Sequence, residues 1–214
     1  MIENYFVLRH VLKKYGKYWM NELNDAIGRL AREVRVEKNY NWKVPKNCPV
    51  EIPSNITNAY SQNLYIKEHM AEKLASDSGM GAHFWIIQDW GGIRNFRKSE
   101  KNCARMREFQ KGLIKGALTR KTFGVISSLS KVASFRDPEK FAIYDSRAVF
   151  ALNWLMIRHT EDRRLFPQPS GRNKELKDLD LEGFLRFGKV SYQIRNYKTA
   201  FFEYCELLRK LSRE

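Results

Sequence analysis

Two residues near the middle of the chain, Lys131 and Asp145, are of types that carry out covalent chemistry at a carbon atom. A lysine amine becomes a nucleophile when it is neutral, and burial beside cations such as Arg136 or Arg147 lowers a lysine pKa in that direction. A fixed carboxylate stabilises positive charge that develops in a transition state. These residue types suit a site in which an amine attacks and a carboxylate stabilises charge, but taken alone they favour a surface charge and a structural helix cap.

Helices must position both residues. Asp145 precedes the apolar run Ala148–Ile157, which predicts a deeply buried helix with Asp145 as its N-cap. The orphan N–H groups and the dipole of that helix would keep the carboxylate ionised. Lys131 stands 14 residues earlier, in a helix that we expect to begin near Ser130 and to end before Pro138. A compact helix–turn–helix brings the two to one cleft. The alternative is a structural cap and a surface charge.

The motif that contains these residues resembles a known family. Lys131-Val-Ala-Ser, followed after a short connector by Ile143-Tyr-Asp145, is similar to the signature of the helix-hairpin-helix DNA glycosylases, above all the 8-oxoguanine glycosylase branch. The resemblance covers residues 80–157. It implies an all-α, two-lobed domain with a central cleft that flips a damaged or modified base out of DNA and excises it, with or without AP-lyase activity.

The same resemblance assigns roles to the pair. In the family the lysine attacks the sugar C1′ and forms a Schiff base, while the aspartate supports departure of the base. Position by position, these roles fall on Lys131 and Asp145. Breaking an N-glycosidic bond builds positive charge on the sugar, so a nearby carboxylate suits this chemistry. No cofactor and no metal ion is expected.

The hairpin departs from the family pattern. Where the family has Leu-Pro-Gly-x-Gly, this chain has Ser127-Ser128-Leu129-Ser130, and its connector from lysine to aspartate is shorter. The serines offer hydroxyls and amides to a phosphate without the backbone freedom of glycine. This divergence favours a bacterial repair or antiphage-defence branch, and a hypermodified phage base is an alternative substrate.

A flipped nucleotide needs an aromatic-lined pocket. Tryptophan faces stack on bases, and Gln or Asp side chains read a base edge. The adjacent glycines Gly91-Gly92 favour a turn at a site. The alternative is that the tryptophans and the tyrosine belong to the core and that the aspartate caps a helix. The predicted pocket residues are Trp85, Gln88, Asp89, Trp90, Tyr144 and Arg147.

The charge of the chain indicates a polyanionic partner, for which DNA is our prediction. The 214 residues carry 39 Lys and Arg against 24 Asp and Glu, a net charge of +15. The segment from Arg94 to Lys121 holds ten of the cations and two glutamates, which leaves +8 over 28 residues. The alternative is a solvated helix face. We expect contacts with the DNA backbone from Arg94, Arg97, Lys98, Arg120, Lys121, Ser127, Ser128, Ser130, Ser134 and Arg136.

Composition and periodicity predict a single helical domain over residues 1–214. Hydrophobic residues make up 43% of the chain, which excludes a disordered or fibrous protein. Three- and four-residue spacing predicts helices over Trp19–Val34, from an N-cap at Ser54 to about Ala75, and along Val190–Leu211. The stretch His83–Ile87 fits either a helix or a strand. About eight to ten helices are expected.

The cysteines and the apolar runs predict a cytoplasmic protein. Cys48, Cys103 and Cys205 are odd in number and widely spaced, which indicates a reducing compartment and no disulfide framework. No apolar run reaches the ~18–20 residues of a membrane-spanning helix, and the first residues lack the pattern of a secretory signal. We therefore expect no membrane association.

Two other functional classes remain open at this stage. A helical module that binds DNA or RNA without catalysis is favoured by the missing glycines of the hairpin. A protein-interaction domain that uses its charge on an acidic partner has no positive feature behind it. The oligomeric state is not predictable from the sequence.

Overall fold

The computed structural model describes residues 21–30, 32–33, 35–170 and 181–212, and this part of the chain is predominantly helical, as expected. Two short strands, β1 (Arg164–Leu165) and β2 (Gln193–Ile194), pair in parallel. Helix α4 (Gly81–Trp85) continues directly into one turn of π-helix, Ile86–Trp90. The helices are α1 (residues 21–30), α2 (Val36–Asn39), α3 (Ala59–Ser76), α4 (Gly81–Trp85), α5 (Glu100–Lys115), α6 (Arg120–Phe123), α7 (Ile126–Arg136), α8 (Ser146–His159), α9 (Leu181–Phe187) and α10 (Tyr197–Leu211).

Helix α7 lies in the middle of the packing. Apart from Ser127 and the terminal Arg136, all of its residues are buried, and it packs against α3 on one side and the π-helical turn on another. An aromatic cluster joins α10 to the segment between α7 and α8, with the rings of Tyr144 and Tyr204 4.9 Å apart. Full burial of such side chains is worth roughly 1.5–3 kcal/mol each. The buried rings therefore contribute to the core beside the nearly fully buried α7.

Two helix starts differ from the sequence expectation. Helix α3 begins at Ala59, because the Asn58 side chain accepts the Ser61 N–H at 2.8 Å and acts as the N-cap. The predicted cap, Ser54, lies in a turn instead. Helix α10 begins only at Tyr197, capped by Asn196, since the preceding residues form β2.

The start of α7 also differs. The helix begins at Ile126, so Ser127-Ser128-Leu129-Ser130 lie in its first turns and not in a hairpin. The tight turn between α6 and α7 consists of Gly124 and Val125. The ambiguous stretch His83–Ile87 is helical.

Some expectations concern other parts of the chain. Trp19 and Val34, at the ends of the first predicted helix, lie outside the described residues. Between them, Leu23 is buried and Leu30 is exposed. Within the described ranges, none of the helices has the length and apolar character needed to cross a membrane. The cysteines Cys48, Cys103 and Cys205 are free thiols.

Candidate active site

A cleft of about 880 Å³ opens beside α7. Its wall combines six segments that are distant in sequence: residues 40–42, the stretch from the end of the π-helical turn through 96, the N-terminal half of α5, the α6–α7 region, residues 143–147, and residues 169–170. Lys131 and Asp145 both line it, together with Trp90 and Arg147. The structure therefore brings the two candidate catalytic residues to one open cavity.

Lys131 enters the cleft from the buried helix α7. It is 8% exposed, and its Nζ donates a hydrogen bond to the Ser127 carbonyl oxygen at 2.8 Å, one turn earlier. Burial lowers the pKa of Lys131, and the negative charge of Asp145 opposes this effect. The sequence predicted burial together with cationic neighbours such as Arg136 or Arg147; burial is the cause found, and neither arginine is among the causes.

The π-helical turn makes room for this lysine. The Gly91 N–H bonds to the Ile86 carbonyl at 2.8 Å, five residues back, which closes the wide turn. A Cβ on Gly91 would lie 2.7 Å from the Lys131 Cδ. Glycine at this position therefore lets the aliphatic stem of Lys131 pass against the backbone. π-Helical turns are rare and are found frequently at functional sites.

Asp145 is the N-cap of α8, as expected from the sequence. Its Oδ1 accepts the backbone N–H groups of Arg147 and Ala148, each at 3.0 Å. In the part of the chain that the structure describes, Oδ2 forms no hydrogen bond. One carboxylate oxygen thus satisfies the helix terminus, and the other is available to the cleft.

A buried hydrogen bond couples the two candidate catalytic residues. Ser130, beside Lys131, is fully buried, and its Oγ accepts the backbone N–H of Tyr144 at 3.0 Å. Tyr144 in turn precedes Asp145. Because buried backbone groups strongly favour a partner, this bond fixes the segment that carries Asp145 to α7. Ser130 was expected to contact DNA, and its buried position does not allow that role.

Four of the six predicted pocket residues do not line the cleft. Trp85 is 5% exposed, and its indole N–H donates to Asn47 Oδ1 at 3.0 Å. The Gln88 amide donates to the carbonyl of Phe96, and exposed Asp89 faces the Asn47 amide at 3.5 Å. Each of these polar groups is engaged by its neighbours.

Tyr144 is the fourth residue outside the pocket. It has no exposed surface, and its hydroxyl donates to the Pro167 carbonyl at 2.8 Å. Burial raises its pKa far above the ordinary value. Tyr144 therefore belongs to the core, as do the buried parts of α7. Trp90 and Arg147 are the two predicted pocket residues that remain at the cleft.

The predicted DNA-backbone residues divide into three groups. Ser127 and Ser128 line the cleft. Ser134 is 1% exposed and its hydroxyl donates to the Lys131 carbonyl. Like Ser130, it is therefore too deeply buried to contact a phosphate. The cations all lie on the surface, with Arg120 over the ring of Tyr197: Arg94, Arg97, Lys98, Arg120, Lys121 and Arg136.

Three residues that line the cleft were not predicted from the sequence to belong to the site. Tyr40 and Trp42 also line the cleft, although Trp42 precedes Trp90 by 48 residues. Arg105 lines it too, with its Nη1 donating to Asn102 Oδ1 at 3.1 Å. The basic segment signalled Arg105 as a cation but not as a cleft residue. No local pattern marks Tyr40 or Trp42.

The cleft carries a positive balance. Among the described residues of its wall, Lys131, Arg105 and Arg147 are cationic and Asp145 is the single acid. No group of three or more His, Cys, Asp or Glu side chains that could hold a metal ion occurs within the described ranges. The arrangement offers a buried amine, a capped carboxylate, an aromatic wall and two guanidinium groups.

Comparisons of the chain with models of protein families, with curated proteins and with solved structures found no match.

Proposed function

We propose that this protein is a DNA glycosylase with Lys131 as its nucleophile and Asp145 as its charge-stabilising carboxylate. One observation carries the proposal: the two residues line the same cleft, and burial lowers the pKa of Lys131. A lowered pKa increases the neutral fraction of an amine, which is the form that attacks. The choice of N-glycosidic bond cleavage as the reaction rests on the resemblance of the motif to helix-hairpin-helix DNA glycosylases.

The reaction begins when the extruded nucleotide occupies the cleft. The lone pair of the neutral Lys131 Nζ forms a bond to C1′, and the N-glycosidic bond breaks. Its electron pair leaves with the base, which takes up the proton that Lys131 loses. The Asp145 carboxylate stabilises the positive charge that develops on the sugar during this step. The neutral amine keeps two N–H donors, so its bond to the Ser127 carbonyl can persist.

The covalent intermediate then opens. The sugar O4′ leaves C1′ with its electron pair and is protonated, which produces a Schiff base between C1′ and Nζ. Water hydrolyses the Schiff base and releases an abasic aldehyde. In the lyase branch, removal of a C2′ proton first expels the 3′ phosphate by β-elimination. Both branches regenerate the Lys131 amine.

DNA binding is the remaining part of the proposal. Nine of the ten cations between Arg94 and Lys121 are exposed, and the tenth, Arg105, is half-buried at the cleft. Lysine and arginine that neutralise phosphates supply affinity that falls steeply with salt. Trp90 and Arg147, at the cleft, suit an extruded base and its phosphate.

A non-catalytic module that binds DNA or RNA is the second candidate. It is favoured by the position of Ser127-Ser128-Leu129-Ser130 inside α7, because these residues replace the glycine hairpin of the family and do not form an open loop. Such a module would bind nucleic acid tightly and with strong salt dependence but would release no base.

Base release from defined oligonucleotides tests the proposal. Single- and double-stranded substrates would carry oxidised, alkylated, deaminated, hydroxymethylated or glycosylated bases, and mass spectrometry would detect the free base. We expect the wild-type protein to release at least one of these, and Lys131→Gln to release none. Asp145→Asn should slow release about 100-fold, and because asparagine is as good an N-cap as aspartate, the fold should be kept. Binding without release of any base would favour the second candidate.

A further inference from the structure

Trp42 lies at the cleft with an exposed side chain that hydrogen bonds nevertheless hold in place. It is 45% exposed and lines the cleft with Trp90. Its indole N–H donates to the Trp90 carbonyl at 2.9 Å, and its own carbonyl accepts the Asn63 amide at 2.7 Å. One hydrogen bond therefore holds the edge of the Trp42 indole ring, and the other holds the Trp42 backbone.

The network around Trp42 closes on itself. Asn63, buried on α3, also accepts the Trp90 indole N–H on its Oδ1 at 2.6 Å. The rings of Trp42 and Trp90 meet edge to face with centroids 6.3 Å apart. The asparagine thus ties both tryptophans to one helix. An aromatic ring that is immobilised before binding loses little conformational entropy when a ligand packs on it.

The surroundings of Trp42 specify the kind of ligand. Arg105 and Arg147 line the same cleft, and Asp145 is the single acid among its described residues. Exposed aromatic faces beside cations are how proteins hold single-stranded nucleic acid, because every base has a π-face and every linkage a phosphate. A cleft of about 880 Å³ also lies in the upper part of the ~300–1,000 Å³ range of small-molecule pockets. It has space beside the extruded nucleotide.

We infer that Trp42 forms a second base-binding subsite, in which its indole stacks on the nucleobase next to the one that enters the cleft. The inference rests on the proposed function, because it takes DNA as the occupant. Stacking tolerates any base. The affinity should therefore depend on whether a base is present at one neighbouring position and hardly at all on which base it is.

The test measures binding of single-stranded oligonucleotides that carry a tetrahydrofuran abasic analogue at the target position. A second tetrahydrofuran then replaces each neighbouring nucleotide in turn. For the wild-type protein, we expect about a tenfold loss of affinity at one neighbouring position and little change at the others. Trp42→Ala should bind the oligonucleotide about tenfold more weakly and should show no further loss at that position. Trp42→Phe should retain part of the dependence.

Phe187→Ala provides the matched control. Phe187 is an aromatic residue that is 91% exposed and does not line the cleft, so its removal should leave every affinity unchanged. A base dependence that persists in Trp42→Ala, or that is absent from the wild type, would overturn the subsite.

The subsite and the proposed function can fail separately. If the wild-type protein releases a base and binds the oligonucleotides, but Trp42→Ala behaves like the wild type, only the subsite is overturned. If the wild-type protein releases a base but binds none of these single-stranded oligonucleotides, the subsite is overturned and the glycosylase assignment stands. If it releases no base from any single- or double-stranded substrate, the DNA glycosylase assignment is overturned, and the subsite that rests on it falls too.

Discussion

The side chain of Lys131 crosses the backbone of Gly91 so closely that a Cβ at position 91 would lie 2.7 Å from the lysine Cδ. The same Cβ would lie 2.8 Å from the Ile87 carbonyl oxygen and 2.9 Å from that of Ile86. Real Cβ atoms do not approach other atoms this closely. The π-helical turn and Gly91, which follows it, therefore limit the path that the aliphatic stem of Lys131 can take.

Gly91→Ala should consequently displace Lys131. Because a shift of about 1 Å at a reacting group can cost roughly 100-fold in rate, we expect base release to fall by about 10- to 100-fold. Overpacking should also lower the free energy of unfolding by about 1–3 kcal/mol. Release would be measured per folded molecule, after the folded fraction is determined by circular dichroism.

Gly81→Ala is the control for this substitution. A Cβ on Gly81 would meet its nearest neighbour, Asp77 Oδ1, at an ordinary 3.8 Å. This variant should be as active as the wild type. Equal activity of the Gly91→Ala and Gly81→Ala proteins would show that Gly91 does not position Lys131.

The protonation of Lys131 should respond to Asp145. Burial lowers the lysine pKa and the negative charge of Asp145 raises it. Loss of that charge in Asp145→Asn should therefore lower the Lys131 pKa further. Reductive methylation followed by mass spectrometry measures the neutral fraction of each lysine against pH. The neutral fraction of Lys131 should increase at a lower pH than that of exposed lysines. In Asp145→Asn this increase should occur at a still lower pH.

Lys67 is the internal reference for this titration. Its pKa is also lowered by burial, but no interaction with Asp145 contributes. The Lys67 curve should be the same in both proteins. A Lys131 curve that does not move, or that moves to higher pH, would contradict the electrostatic coupling of Lys131 and Asp145.

Ser130 should matter for stability and not for DNA contact. Ser130→Ala removes the oxygen that accepts the buried Tyr144 N–H at 3.0 Å. An unsatisfied buried donor costs about 1–3 kcal/mol, which urea denaturation would detect. The salt dependence of DNA binding should be unchanged. If Ser130→Ala unfolds at the wild-type urea concentration and its DNA binding depends less on salt, Ser130 contacts a phosphate and this interpretation is wrong.

The exposed cations should determine the salt dependence of binding. Arg97 and Lys98 follow directly after the cleft residue Phe96 and are both exposed. If each contacts one phosphate of duplex DNA, the double substitution to alanine should reduce the slope of log K against log salt by about 2. Filter binding at several salt concentrations measures this slope.

A paired lysine elsewhere serves as the comparison. The Lys210 Nζ lies 2.7 Å from Glu206 on α10, and Lys210→Ala should leave the slope unchanged. Equal slopes for the wild type and the Arg97/Lys98 double variant would show that Arg97 and Lys98 do not contact the DNA backbone.

The local features of the site were predictable from the sequence, and the distant ones were not. The N-cap at Asp145 depends only on the residues next to it in the chain, so the sequence was sufficient to predict it. Ser54 failed as a cap because periodicity does not distinguish it from Asn58. The strand Gln193–Ile194 exists through pairing with Arg164 and Leu165, which no local spacing reveals.

The wall of the cleft shows the same limit. The π-helical turn brings Trp90 and Gly91 to Lys131, while Trp85, five residues earlier, points into the core. Trp42 reaches the cleft through hydrogen bonds with residues far along the chain. Residue type suggested an aromatic wall, but tertiary contacts decided which aromatic residues form it.

Borohydride trapping of a covalent adduct with DNA tests the role of Lys131 most directly, because borohydride reduces a Schiff base to a stable amine. Wild-type protein incubated with a substrate oligonucleotide should yield an adduct that peptide mapping locates on Lys131. Lys131→Gln should yield none, whereas Lys67→Gln, which removes another largely buried lysine, should yield the wild-type amount. An adduct that persists in Lys131→Gln, or that maps to a different lysine, would contradict the account.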